Sequence, residues 1–297
     1  MKTEISRFLD ELDRSPKTIF AYRNALQQFV KAVGEDAVLN TATYIEFLTS
    51  LQDKSPSTQR VYTTAVLKFY AFCKAGNWPE LKEATQQHKR RSGKRIVNFN
   101  REAVEKVVAY CGSLAGNLET LRDRAFVLTL VDTGLRISEA CALKRGNIDW
   151  SQRRAILVDK NKQRTVVRFS DRSIQALKEY LHARSSLDLN SRKPPESQPL
   201  FARHDIRASK ILRSITPGGM WKAIKDRIVE AGVKRSTVRI HDFRHFFVTA
   251  TYLASQDLKL SQELARHKNI QVTQRYTHLA NDELDKAYSE IFDKNSK

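Results

Sequence analysis

Apolar positions in the first 85 residues recur at helical spacing. Two segments match each other at a separation of 40 residues: Ser15-Pro16-x-Thr18-x3-Tyr22-x2-Ala25-x3-Phe29 and Ser55-Pro56-x-Thr58-x3-Tyr62-x2-Ala65-x3-Phe69. In each, Ser is a candidate N-cap, Pro suits the first helical position, and the aromatic and small residues share one face. The pattern predicts a small helical bundle. Helix starts rich in Ser, Thr and Lys can also rest against backbone phosphates, and spacing alone leaves that second role open. Residues 86–98, QQHKRRSGKRIVN, break the periodicity with a polar, basic run and mark a domain boundary. Helical patterns resume near residue 99, in REAVEKVVAYC and LRDRAFVLTLVDTG. One interruption is β-like: Ala155–Val158 and Thr165–Phe169 are β-branched runs around the polar turn 159–164, which predicts a hairpin. Residues 185–200, rich in Pro and Ser, are expected to form a loop between helices, and the tail from Asn281 has a helical pattern with an acidic start.

Composition narrows the class. The 297 residues are 41% hydrophobic and 29% charged with only 10 Gly and 7 Pro, which excludes a collagen-like or wholly disordered chain. No stretch approaches the ~18 unbroken apolar residues of a membrane helix, and the charged opening MKTEISRFLD does not read as a secretory signal. Cys73, Cys111 and Cys141 are scattered without CxxC spacing, as expected for reduced core residues in a cytoplasmic protein. The 52 Lys+Arg against 33 Asp+Glu leave a net charge of +19, which points to a polyanionic partner, nucleic acid first. Residues 1–90 hold 13 basic and 10 acidic side chains, whereas residues 91–297 hold 39 and 23, a net +16. The excess lies in the C-terminal two thirds. A solvated basic face or RNA binding would account for the same charge.

Certain chemistries are missing. The sequence has no Walker loop, no GxGxxG, no HExxH and no tight carboxylate cluster of the kind that holds two magnesium ions. The remaining candidates are cationic and phenolic. In Val131-Asp132-Thr133-Gly134-Leu135-Arg136-Ile137-Ser138-Glu139, Gly134 ends one helix and Arg136 falls in the first turn of the next. An Arg is electrostatically misplaced at a helix N-terminus, so a bound phosphate gives it a purpose, with an ion pair as the alternative. Glu139 is placed to satisfy backbone donors of that turn. His241 and Arg244, in His241-Asp242-Phe243-Arg244-His245, share a helix face, a pair that is more often solvated than functional. Further on stand Glu263-Leu264-Ala265-Arg266-His267 and Gln274-Arg275-Tyr276-Thr277-His278. A Tyr phenol, with an ordinary pKa near ~10, needs cations or a base beside it to act as a nucleophile.

The ordered set Arg136, Lys160, His241-x2-Arg244, His267 and Tyr276 resembles the catalytic set of the tyrosine recombinase, or phage integrase, family. TGLRISE, HDFRH and the H-x8-Y spacing carry the resemblance, which covers nearly the whole chain and is strongest to the simple Xer-type site-specific recombinases. It implies a mainly α fold in two domains: a helical, SAM-like core-binding bundle over 1–85, the basic linker 86–98, and a mixed catalytic domain with a small β-hairpin over 99–297. It also implies strand cleavage and rejoining through a 3′-phosphotyrosyl intermediate, with Tyr276 as nucleophile and no cofactor or metal. The implied partners are double-stranded DNA and further copies of the chain, four on two duplexes, with the tail helix around Leu284–Phe292 docking on a neighbour. A second recombinase or a DNA translocase can join them, and the implied location is the cytoplasm, at the nucleoid. Two positions depart from the family pattern. The hairpin turn Asp159-Lys160-Asn161-Lys162 is shorter and lacks glycine, leaving Lys160 or Lys162 to reach the phosphate. Arg266 stands where the family usually has Gly, where it can crowd the site or add a phosphate contact. Other readings compatible with the residues are a DNA-binding relative without catalysis, a mobile-element integrase or resolvase, and an enzyme that cleaves and reseals one duplex.

Overall fold

The computed structural model describes residues 1–88, 98–158, 164–191, 193–204, 212–267 and 269–274. Lys160, Lys162, Tyr276, most of the expected linker and the tail helix therefore lie outside the described residues. The chain divides into two compact units, Met1–Arg95 and Ile96–Lys297.

Among its described residues the first unit has five helices: α1 (Lys2–Asp10), α2 (Pro16–Val33), α3 (Thr41–Ser50), α4 (Pro56–Phe72) and α5 (Trp78–Gln87). Both halves of the sequence repeat become capped helix starts. The Ser15 and Ser55 hydroxyls accept the backbone N–H of Thr18 and Thr58 at 3.3 and 3.2 Å, with Pro next in line. These hydroxyls satisfy donors that helix geometry otherwise leaves open. α2 packs on α4, and Leu26, Phe29, Phe47, Phe69 and Tyr70 fill the core between the helices. α5 runs to Gln87, two residues past the expected boundary at 85.

The second unit starts with α6 (Arg101–Gly112) and α7 (Leu118–Thr133), then the short α8 (Ile137–Ala142). α7 is apolar on nearly every side from Ala125 to Val131, and α6, α9 (Asp171–Ala183) and α12 (Asp242–Ser255) pack around it. A helix with no polar face belongs in the middle of a core. Its one buried carboxylate, Asp123, is held by Arg122 at 2.7 Å and by Arg227 at 2.9 Å. The expected hairpin is present as β2 (Arg154–Val158) and β3 (Arg164–Arg168), antiparallel with Ile156 opposite Val166. A two-residue strand, β1 (Ile148–Asp149), extends it to a three-stranded sheet.

Residues 185–200 are more ordered than the expected loop. They contain α10 (Ser185–Leu189) and a 3-10 turn at Pro195–Ser197. The reason is Arg184, whose fully buried guanidinium donates to the carbonyls of Pro199 at 2.7 Å and Leu200 at 3.0 Å. Buried donors of this kind tie a segment down despite its Pro and Ser content. α11 (Pro217–Glu230), capped by the Thr216 hydroxyl, precedes α12, and α13 (Leu258–Ala265) and α14 (Ile270–Thr273) follow it. No described helix is long and apolar enough to cross a membrane.

Candidate active site

The site is built at the C-terminal end of α7. Gly134 closes that helix in the left-handed conformation, φ 60° and ψ 22°. A side chain there would also strike the Phe247 ring, so both the backbone and the packing require glycine. The turn delivers Arg136 to the N-cap of α8, one residue earlier than the expected first turn. Glu139 accepts the backbone N–H of Arg136 at 2.9 Å and its guanidinium Nη1 at 2.7 Å. The ion pair foreseen as an alternative for Arg136 is thus formed, while its side chain stays about half exposed (47%) at the mouth of a cleft. Burial of Glu139 works to raise its pKa, but these bonds and the nearby cations outweigh it and hold the carboxyl below the usual range.

Arg244 comes from the first turn of α12 and is buried. Its two terminal nitrogens donate to the carbonyls of Gly134 and Ala265, joining the ends of α7 and α13. His241 occupies the N-cap of α12, one turn before Arg244, and is exposed. Partial desolvation, then the charges of Arg244 and Arg136, push its imidazole pKa below the ordinary value. His267 follows α13 and pairs through Nδ1 with the Thr273 hydroxyl of α14 at 2.9 Å. Burial first, then Arg244, Arg136, Arg266 and His245, push it down to about 4. Both rings are consequently neutral near neutral pH.

Arg266 ends α13 with φ 57° and ψ 42°, a left-handed cap in which glycine is at ease and a larger residue costs about 1 kcal/mol or more. Its side chain turns back onto the α7 terminus. Nη1 donates to the Thr133 carbonyl and Nη2 to the Gly134 carbonyl, each at 3.1 Å, and Nη2 stands 3.7 Å from the Glu139 carboxylate. Its sequence context gave no sign of this clasp; the Thr273 partner of His267 was equally unforeseen. The only foretaste was the absence of the expected glycine.

The cleft, of about 780 Å³, is lined by Arg136, Glu139, Arg266 and His267 on one side and by Ile156 and Val166 of the sheet on the other. Val158 and Thr165, close to either side of the hairpin turn, line it too. Of the six expected site residues, Arg136, Arg244, His241 and His267 gather around one helix end. Lys160 and Tyr276 fall outside the described residues. Of the four that gather there, Arg136 and His267 line the open cleft, where a guanidinium and an imidazole can hold an oxyanion and exchange a proton with it. Among the described residues no three His, Cys, Asp or Glu side chains assemble as metal ligands.

The model of the phage integrase family matches residues 97–283. The chain is 28% identical over 297 residues to the tyrosine recombinase XerC of Lactobacillus delbrueckii subsp. bulgaricus, covering 97% of each protein. It is 29% identical to the tyrosine recombinase XerC of Herpetosiphon aurantiacus, over 95% of this chain and 92% of that one. Among solved structures it is similar in fold to the XerH site-specific recombinase bound to a palindromic difH substrate, with a TM-score of 0.68 at 22% identity over 91% of this chain and 79% of that one. It is likewise similar to the Tn1549 transposon integrase in complex with transposon right end DNA, with a TM-score of 0.67 at 15% identity over 98% of both chains.

Proposed function

The chain belongs to the phage integrase family, and from that premise we infer that it is a tyrosine-type site-specific DNA recombinase, which cleaves and rejoins DNA strands through a 3′-phosphotyrosyl intermediate. The observation that carries the reading is the convergence of Arg136, Arg244, His241 and His267 at the end of α7, beside a cleft walled by the β2–β3 hairpin.

In this reading the Tyr276 oxygen attacks the scissile phosphorus and the bond to the 5′-oxygen breaks, leaving the phosphate on Tyr276 and a free 5′-hydroxyl. Arg136 and Arg244 hold the non-bridging oxygens, where forked donors match the charge of the transition state. His241 is the proton acceptor for the phenol, a role that a depressed imidazole pKa suits, since the ring must start neutral. Lys160 protonates the leaving oxygen, and His267 hydrogen-bonds the phosphate. A 5′-hydroxyl from the partner duplex then attacks the phosphotyrosine, regenerating the phenol. One phosphoester replaces another, so the energy of the bond is kept and the reaction draws on no nucleotide.

The same reading assigns residues 1–85 to a core-binding domain, 86–98 to a linker along the DNA, and 99–297 to the catalytic domain. Four protomers act on two duplexes in the cytoplasm, with the tail helix as a contact between neighbours and a second recombinase or a translocase as an optional partner. The test is to incubate the whole chain with host DNA, trap covalent protein–DNA adducts under denaturing conditions and sequence their ends. Adducts clustered at one short sequence are expected. Binding without any adduct would favour a non-catalytic relative, and relaxation of plasmids lacking the site would favour a single-duplex enzyme.

A further inference from the structure

Arg266 is the part of the site with no assigned task. It is nearly buried, with 8% of its side chain exposed, and it occupies a left-handed cap that glycine would fill without strain. Something outside the backbone must favour arginine there. Its guanidinium meets three negative features at once: the carbonyls of Thr133 and Gly134, at the negative end of the α7 dipole, and the Glu139 carboxylate 3.7 Å away. Glu139 in turn holds Arg136 through both the backbone and the side chain.

That arrangement poses an electrostatic problem for the reaction. Arg136 is bonded to Glu139 through one terminal nitrogen, so presenting both terminal nitrogens to a scissile phosphate would loosen that bond. A half-buried carboxylate would then face an approaching phosphate, and like charges at short range repel, the more so where one of them is partly desolvated. Among the described side chains, Arg266 is the other cation within ion-pair distance of Glu139. Held by two carbonyls, it stays in place when Arg136 moves.

We propose that Arg266 is a positioning residue: it screens the Glu139 carboxylate, so that Arg136 can exchange Glu139 for the scissile phosphate while the α7 terminus stays fixed. The inference rests on the recombinase reading. It accounts for arginine at a cap position built for glycine. It also makes a specific claim about coupling: the value of Arg266 depends on the negative charge of Glu139, and not merely on tying two helix ends together.

The experiment is a double-mutant cycle on the full chain, using a nicked duplex that carries the site recovered by adduct mapping. Single-turnover adduct formation at saturating protein is measured for the native chain, Arg266→Gly, Glu139→Gln and the double variant, and duplex affinity is measured separately. Arg266→Gly relieves the backbone and should fold and bind normally, yet form adduct about tenfold more slowly. In the Glu139→Gln background the same substitution should change the rate by no more than about twofold. Arg266→Lys keeps the charge without the fork and should recover most of the rate. Equal losses from Arg266→Gly in both backgrounds, or a lysine variant as slow as the glycine one, would overturn the proposal by reducing Arg266 to a structural clasp. No adduct from the native chain would instead bring down the recombinase reading itself.

Discussion

At the scale of single residues, the site depends on which groups are charged when the phosphate arrives. Desolvation and the neighbouring Arg244 and Arg136 lower the imidazole pKa of both His241 and His267, that of His267 to about 4. Tyr276 is the test of the chemistry. Tyr276→Phe removes only the nucleophilic oxygen, so duplex binding should persist while the covalent adduct disappears, and cleavage retained by the variant would sink the assignment. The histidines make a second prediction. His245 and His267 are both pushed to about 4, burial being the largest cause in each. In the unfolded chain such rings take up protons as pH falls through ~6.5, but the folded chain resists until near 4. The unfolded state therefore binds more protons across that window. Stability is fully present above it and is lost as the pH falls through it. Urea midpoints should fall between pH 7 and pH 5, and His267→Asn should make the fall shallower. A midpoint independent of pH would contradict the buried neutral rings.

At the scale of elements, what could be read ahead was whatever a short local pattern dictates. Ser-Pro-x-Thr wrote the starts of α2 and α4 because cap, proline and hydroxyl act within one turn. Two β-branched runs around a polar turn wrote β2 and β3, and Gly134 wrote the end of α7. Features that depend on distant partners stayed hidden. β1 is two residues long and exists because β2 pairs with it. α10 follows from where the Arg184 guanidinium reaches, and the left-handed cap at Arg266 follows from carbonyls more than 130 residues away in sequence. For the site the same division holds: the order of arginines and histidines was legible, but not the clasp that joins Arg266 to Glu139. The hairpin carries its own prediction, since a Lys on its turn should protonate the leaving 5′-oxygen. Loss of that acid should slow cleavage by ~10²-fold or more, because an alkoxide leaves poorly. A 5′-thiolate leaves without a proton, so a 5′-sulfur at the scissile position should rescue the variant that lacks only the acid. Lys160, which lies 24 residues after Arg136, is the expected acid. Comparing Lys160→Ala and Lys162→Ala on normal and 5′-thio duplexes decides it. Rescue of Lys162→Ala with Lys160→Ala left inactive would move the role to Lys162.

At the scale of the whole molecule, charge is distributed unevenly. Residues 91–297 carry a net +16, while residues 1–90, with 13 basic and 10 acidic side chains, are close to balanced. Part of that positive charge is already spent inside the fold: Arg122, Arg184 and Arg227 are paired with the buried carboxylates of Asp123 and Asp188. The remainder is available to a polyanion. Each backbone phosphate neutralised by a Lys or Arg frees condensed counterions, so the logarithm of affinity should fall linearly with the logarithm of salt. Contact with six to ten phosphates would lower affinity by about 10³–10⁵ between 50 and 200 mM salt. Removing two or three exposed basic residues from the second unit, away from Arg136 and Arg244, should flatten the slope by about one unit per lost phosphate contact. Equivalent changes in the first unit, which with residues 91–95 holds 16 basic and 10 acidic side chains, should flatten the slope to the extent that its own basic residues meet phosphates. The measurement is duplex affinity as a function of salt for the native chain and for each set of charge-neutralising variants. A flat dependence for the native chain would show that a surplus of this size is not used to grip DNA, and would leave it as a solvated surface.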